Sequence, residues 1–161
     1  MLLKIKQTIP NLQILLGLHP NLNKLKIDES KITVVRDEPL KALEVATFAI
    51  IASGTATLQA AIMNTPAIVI YKMNLLSWYL TKQLVKVQFA SMANIIANEL
   101  VFPELLQQKA THENIAEIGI RLINDKNYKN NMIEKMRFIN SQIGEAGASK
   151  KAAQFILGQK S

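Results

Sequence analysis

Ser53, Gly54 and Thr55 stand between an apolar run, Ile50-Ile51-Ala52, and a helix-forming segment, Ala56-Thr57-Leu58-Gln59-Ala60-Ala61. Those residue types in that order suit phosphate binding. The first backbone N–H groups of a helix lack intrahelical partners, and the helix dipole adds partial positive charge at the same end. Gly54 lets a ligand approach the backbone, and the hydroxyls of Ser53 and Thr55 add donors. Gln59, four residues after Thr55, shares its helical face, so the pair can span a phosphate and its attached sugar. A helix simply capped by Ser53, without a ligand, is the alternative that this segment leaves open. His19 and His112 stand alone without metal-ligand spacing and read as loop or cap residues, so neither a metal nor a cofactor is expected. The carboxylates form no isolated acid–base pair, and no catalytic residue is assigned.

Positioning such a loop requires a buried strand ahead of it and a helix behind. Leu12 to Leu18, Ile32 to Val35, Phe48 to Ala52 and Ala67 to Tyr71 are strand candidates. They are continuously apolar, which suits strands covered on both faces by helices. Pro39 to Ala46 and Ser53 to Met63 fall between them and are long enough for two or three helical turns. Pro39 suits a first turn, and Pro66 punctuates the start of a strand. This alternation predicts an α/β fold: a Rossmann-like parallel sheet of about four strands with flanking helices. Ligands bind such sheets beyond the carboxyl ends of the strands, where Ser53-Gly54-Thr55 falls. The carboxyl third is read as helical, over Asn114 to Asp125 with Thr111 as its cap, Tyr128 to Ile143, and Lys150 to Leu157. At the other end, Met1 opens on an apparent helix with Leu2, Leu3, Ile5 and Ile9 on one face, so the chain begins one element late for a doubly wound domain.

At 161 residues, 49% hydrophobic and 19% charged, the chain reads as one globular domain. No apolar run approaches the roughly 20 residues of a membrane-spanning helix, and the amino terminus lacks the pattern of a secretory signal. The absence of cysteine excludes disulfides and thiolate metal sites. Lys and Arg number 19 against 12 Asp and Glu, a formal charge of +7 that suits anionic partners. The lysines are scattered and the arginines are only Arg36, Arg121 and Arg137, so nucleic acid is a minority reading.

From Ala52 onward the sequence resembles the lipid-A-disaccharide synthases, bacterial glycosyltransferases of the GT-B fold class. The likeness rests on Ala52-Ser53-Gly54-Thr55-Ala56, the strand end Tyr71-Lys72-Met73, Trp78-Tyr79-Leu80-Thr81-Lys82-Gln83-Leu84-Val85-Lys86, Ser91-Met92-Ala93-Asn94-Ile95-Ile96-Ala97, and Pro103-Glu104-Leu105-Leu106-Gln107. It covers essentially the whole chain, most strongly residues 45–110, but only the carboxyl-terminal part of the family. The resemblance implies one domain over residues 1–161, the second half of a GT-B fold. Its first strand, with a Gly-Ser-Arg loop, and the acceptor-binding domain would be missing.

Family members transfer a diacylated glucosamine from UDP to a diacylated glucosamine 1-phosphate, giving a β-1,6-linked disaccharide and UDP. The resemblance implies a donor site in which Ser53, Gly54 and Thr55 take the diphosphate of UDP-2,3-diacylglucosamine and Gln59 reaches the ribose. Most relatives carry Glu at position 59, and Tyr-Arg where this chain has Tyr71 and Lys72. Asn94, Glu104 and Gln107 match polar family positions near the donor. From the residues alone, Asn94 reads as a turn residue, and Glu104 and Gln107 as a solvated first helical turn.

The stretch from Leu75 to Val87 places Leu76, Leu80, Leu84 and Val87 on one stripe and Lys82 and Lys86 on another face. With the amphipathic rings of Trp78 and Tyr79 it reads either as a membrane-surface contact or as a core helix with snorkelling lysines. The family's candidate base lies on the half not seen here, so the chain is expected to be inactive alone, or active with that half supplied in trans. The expected location is cytoplasmic, with peripheral attachment to the inner face of the inner membrane as the alternative. The apolar face of the last helix (Ala152, Ala153, Phe155, Ile156, Leu157) suggests self-association. Two other readings stand beside this one: a non-catalytic truncated gene product, and a basic module for membrane surfaces or nucleic acid.

Overall fold

The computed structural model describes residues 8–18, 28–36, 38–52, 54–74, 88–143 and 153–157. Two short strands, β1 (Leu15–Gly17) and β2 (Thr33–Val35), pair in parallel with Leu16 opposite Val34. Helix α1 (Pro39–Glu44) follows, with Pro39 in the first turn, where a missing N–H costs no hydrogen bond. It lies against β1 so closely that a Cβ on Gly17 would stand 2.8 Å from the Pro39 carbonyl oxygen. Gly17 is there because no side chain fits.

A second parallel sheet has the order β3-β4-β5, from Ala49–Ala52, Ala67–Tyr71 and Glu104–Leu106. Helix α2 (Ala56–Ile62) connects β3 to β4. Helix α3 (Met92–Ala97) precedes β5. Ala67, Ile68 and Val69 in β4 are all fully buried. Successive strand residues point to opposite faces, so both faces of this central strand are covered, and its continuous apolar run follows. The fold is α/β with parallel strands and flanking helices, as the sequence pattern predicts. Its five described strands fall into two sheets, and β5 is a strand where the residues suggested the start of a helix.

The carboxyl third is helical over α4 (His112–Asn124) and α5 (Lys126–Ile143). Thr111 caps α4 through the Asn114 N–H at 3.2 Å, as its position predicts. Asp125 joins the two helices: its N–H closes α4 on the Arg121 carbonyl at 2.8 Å, and its carboxylate accepts the Tyr128 N–H of α5 at 2.9 Å. Helix α5 packs on α2, α3 and α4. The core is completed by Ala60 and Ala61 of α2, Phe102 ahead of β5, Leu122 of α4, and Met136 and Ile139 of α5. Small alanines on α2 let the helices approach closely. A hydrogen bond from Asn140 Nδ2 to the Ala61 carbonyl, 3.1 Å, marks that approach. Residues 153–156 form a further helical turn in which Phe155, Ile156 and Leu157 are exposed. No helix among the described residues is long and apolar enough to cross a membrane.

Candidate functional site

Three parallel strands end side by side. Ala52 of β3 pairs with Ile70 of β4, and Tyr71 of β4 pairs with Leu106 of β5. Gly54, Lys72 and Gln107, which follow these ends, therefore line one margin of the sheet, the margin at which α/β sheets hold ligands.

Gly54 has φ +132°, and a Cβ built on it would meet nothing within 4 Å. The backbone conformation requires glycine here, and the space beside it is open. Its carbonyl is fixed by the Thr57 hydroxyl, which donates to it at 2.7 Å and accepts the Ala93 N–H at 3.4 Å. Thr57 is fully buried, so one hydroxyl ties the loop after β3 to the first turn of α3. Thr55 is the N-cap of α2, is exposed and makes no side-chain capping bond. One turn on, Gln59 is half-buried. Ser53 lies outside the described residues. Tyr71 is half-buried at the end of β4, and Lys72 beyond it is exposed and supplies positive charge at the sheet margin.

Asn94 sits within α3, not in a turn, and is completely buried. Its Oδ1 accepts the N–H groups of Val101 and Phe102 at 3.0 and 2.9 Å, and its Nδ2 donates to the Phe102 carbonyl and to Glu104 Oε1, each at 2.8 Å. An amide side chain offers two donors and two acceptor sites, and all four are used. Glu104, at the start of β5, accepts the Ala90 N–H on Oε2 and the Ser91 N–H on Oε1, both at 2.8 Å. The carboxylate thus faces the amino-terminal end of α3, where negative charge complements the dipole. Ser91 caps that helix through the Asn94 N–H at 3.3 Å.

Gln107 differs from both. It is 93% buried, adopts a left-handed φ of +51°, and its Oε1 accepts the Met73 N–H at 3.3 Å. Its Nε2 donates to no group among the described residues.

The structure thus gathers Gly54, Thr55, Gln59, Tyr71, Lys72 and Gln107 at the ends of β3, β4 and β5, with Asn94 and Glu104 behind them in the α3–β5 junction. Trp78, Tyr79, Lys82 and Lys86 lie outside the described residues. Thr57 was not legible as a site residue, although a threonine three places after a loop glycine, inside an alanine-rich helix, is a usable signal. Among the described residues no group of three or more His, Asp or Glu could hold a metal ion.

A family model described as lipid-A-disaccharide synthetase matches residues 2–157. The chain belongs to this family. It is 36% identical over 160 residues to the lipid-A-disaccharide synthase of Trichlorobacter lovleyi, covering 95% of this chain and 42% of the relative. The lipid-A-disaccharide synthase of Coxiella burnetii is 34% identical over 155 residues, 94% of this chain and 41% of its own length. That of Nitrosococcus oceani is 38% identical over 154 residues, 92% of this chain and 40% of its own. The chain therefore spans about two fifths of the length of the curated lipid-A-disaccharide synthases it matches.

Proposed function

We propose that this chain is a donor-binding unit for lipid A disaccharide synthesis, holding the UDP part of UDP-2,3-diacylglucosamine at the carboxyl ends of β3, β4 and β5. The observation that carries the reading is the alignment of Gly54, Lys72 and Gln107 along that margin in a chain of the lipid-A-disaccharide synthetase family. The open space at Gly54 and the exposed Thr55 suit a diphosphate, Gln59 one turn further suits the ribose hydroxyls, and Lys72 adds a cation. Ser53 belongs to the same proposal through its place in the loop. Stabilising a departing UDP by N–H groups and a cation favours transfer of the sugar, because charge builds on the diphosphate as the glycosidic bond breaks.

An acceptor site and a catalytic base are assigned to the remaining portion of the longer family members. Residues 1–161 alone then bind donor without forming disaccharide, and turnover requires that portion in trans. The proposed location is the cytoplasmic face of the inner membrane, since the substrates carry acyl chains. Calorimetric titration with UDP tests the reading: saturable one-to-one binding supports it, and a folded protein giving no binding heat removes it. Measurable disaccharide formation by the chain alone would overturn the division of labour.

A further inference from the structure

Among the described strands, β1 pairs only with β2 and β3 only with β4 in its own direction of the sheet order. Peptide groups alternate sides along a parallel strand. The Leu18 N–H donates to the Val35 carbonyl at 2.9 Å, and the Ile14 carbonyl accepts the Thr33 N–H at 2.8 Å, so Ile14, Leu16 and Leu18 face β2. Leu15 and Gly17 turn their peptide groups the other way. In β3 the Ala49 N–H donates to the Pro66 carbonyl at 2.8 Å, so Ala49 and Ile51 face β4, and Ile50 and Ala52 face away. Edge strands are ordinarily guarded by charge or proline, and neither β1 nor β3 contains either. Leu15, Leu16 and Ile50 are only half-buried, whereas Ala67, Ile68 and Val69 of the central strand β4 are fully buried.

Helix α1 fixes how these two edges relate. It begins at the carboxyl end of β1, where Pro39 meets Gly17, and ends just ahead of β4, where the Leu43 carbonyl accepts the Thr65 hydroxyl at 2.8 Å. The two sheets therefore run in the same direction under one helix, yet β1 and β3 do not pair. From the interval between them, chain order runs outward as β1, β2 on one side and β3, β4, β5 on the other. A doubly wound sheet has that order around its central strand, and one further parallel strand between β1 and β3 completes it.

We infer that the interval between β1 and β3 is a strand-accepting site. Its occupant is a parallel, uncharged segment from the portion of the longer family members that this chain does not span. The chain covers 42% of the Trichlorobacter lovleyi relative, so that portion is long enough to supply one. The peptide groups of Leu15, Gly17, Ile50 and Ala52 provide main-chain hydrogen bonds on both sides, a recurring mode of peptide recognition. A strand paired on both edges at the centre of such a sheet is covered on both faces, which selects β-branched apolar side chains. The family resemblance implies a further strand in longer members. The structure adds that both receiving edges form without it, so that it can dock as a separate chain. This inference does not rest on UDP binding.

Amide hydrogen exchange on residues 1–161, alone and with a synthetic peptide of consecutive valines and isoleucines flanked by lysines, tests it. Alone, the N–H groups of Leu15, Gly17, Ile50 and Ala52 are expected to exchange about tenfold or more faster than those of Leu16 and Ile51. The peptide at about 1 mM should slow all four about tenfold, and the same peptide with a central proline should not. Ile50→Pro removes an N–H that takes no part in pairing with β4, so it should keep the fold and lose the peptide's effect at β3. Should that variant melt early, the proline peptide still decides. Four N–H groups that stay fast in the folded chain with peptide, or that slow equally with the proline peptide, overturn the inference. Groups already slow without peptide overturn it too, and sedimentation then tells a second copy from another segment of the same chain.

Discussion

Asn94 Nδ2 lies 2.8 Å from Glu104 Oε1, and this bond joins α3 to β5 at the rear of the strand-end margin. Through it the carboxylate that receives the Ala90 and Ser91 N–H groups is also held to the amide that receives those of Val101 and Phe102. Replacing Asn94 by Ala takes the partner from the Phe102 N–H and from the Phe102 carbonyl, and leaves the Val101 N–H only the Glu99 carbonyl at 3.0 Å. The expected loss is about 3 kcal/mol of unfolding free energy, given roughly 1–3 kcal/mol per orphaned group with partial relaxation. Urea denaturation measures it. A loss below about 1 kcal/mol would show that the junction holds without the amide.

Gly17 and Gly54 should fail for different reasons when replaced. Gly17→Ala forces a Cβ to within 2.8 Å of the Pro39 carbonyl oxygen, so α1 must move off β1. A loss of about 1–3 kcal/mol is expected, as for an overpacked site. Gly54→Ala meets no neighbour, and its cost arises from φ +132° alone. It should destabilise by about 1–2 kcal/mol if the backbone holds its conformation. Chemical shifts separate the two: Gly17→Ala perturbs α1, whereas Gly54→Ala perturbs the loop and leaves α1 unchanged. Widespread change in both variants would contradict the distinction.

Asp125 gives the fold an acid-range signature. The Tyr128 N–H, received at 2.9 Å, holds its carboxyl below the usual value of 3.8, with a smaller contribution from Arg121. A carboxyl depressed in the folded state stabilises above its unfolded pKa, and the contribution is lost as pH falls through the folded value. Asp125→Asn keeps an acceptor for the Tyr128 N–H but removes the titration. The natural chain should therefore lose melting temperature more steeply than the variant below about pH 4. Parallel curves would show that the carboxylate charge adds nothing to the α4–α5 junction.

Much of this architecture is legible from residue order because the larger sheet obeys simple rules. Ala67 to Tyr71 is continuously apolar, and it forms β4 over that range with both faces covered. Thr111, ahead of an amphipathic run, caps α4 as its type dictates. Glu104-Leu105-Leu106 was obscured by its own composition: a three-residue strand carries too little periodicity to separate it from a helical turn. The role of the Asn94 side chain was equally invisible. Its partners, Val101, Phe102 and Glu104, lie seven to ten residues away, and only the close return of β5 past α3 brings them to it. Local sequence places elements well, whereas the aim of a polar side chain depends on how two of them dock.

Gln59 offers a gain-of-function prediction for the donor site. It lies half-buried in α2, one helical turn of about 5.4 Å beyond Thr55. An amide oxygen accepts a neutral hydrogen bond from a ribose hydroxyl, while a carboxylate at the same place accepts a charge-assisted one about twice as strong. Gln59→Glu is therefore expected to tighten UDP binding about fivefold, a difference near 1 kcal/mol. The added negative charge lies at the middle of α2, the fourth of its seven residues, on a partly exposed side chain, so thermal stability should change little. Pyrophosphate, which lacks a ribose, provides the control. Its affinity should stay level or fall slightly, because the new charge repels it without a compensating hydroxyl. Equal tightening of both ligands would place residue 59 at the phosphates, and weaker binding of UDP would mean that the ribose lies elsewhere.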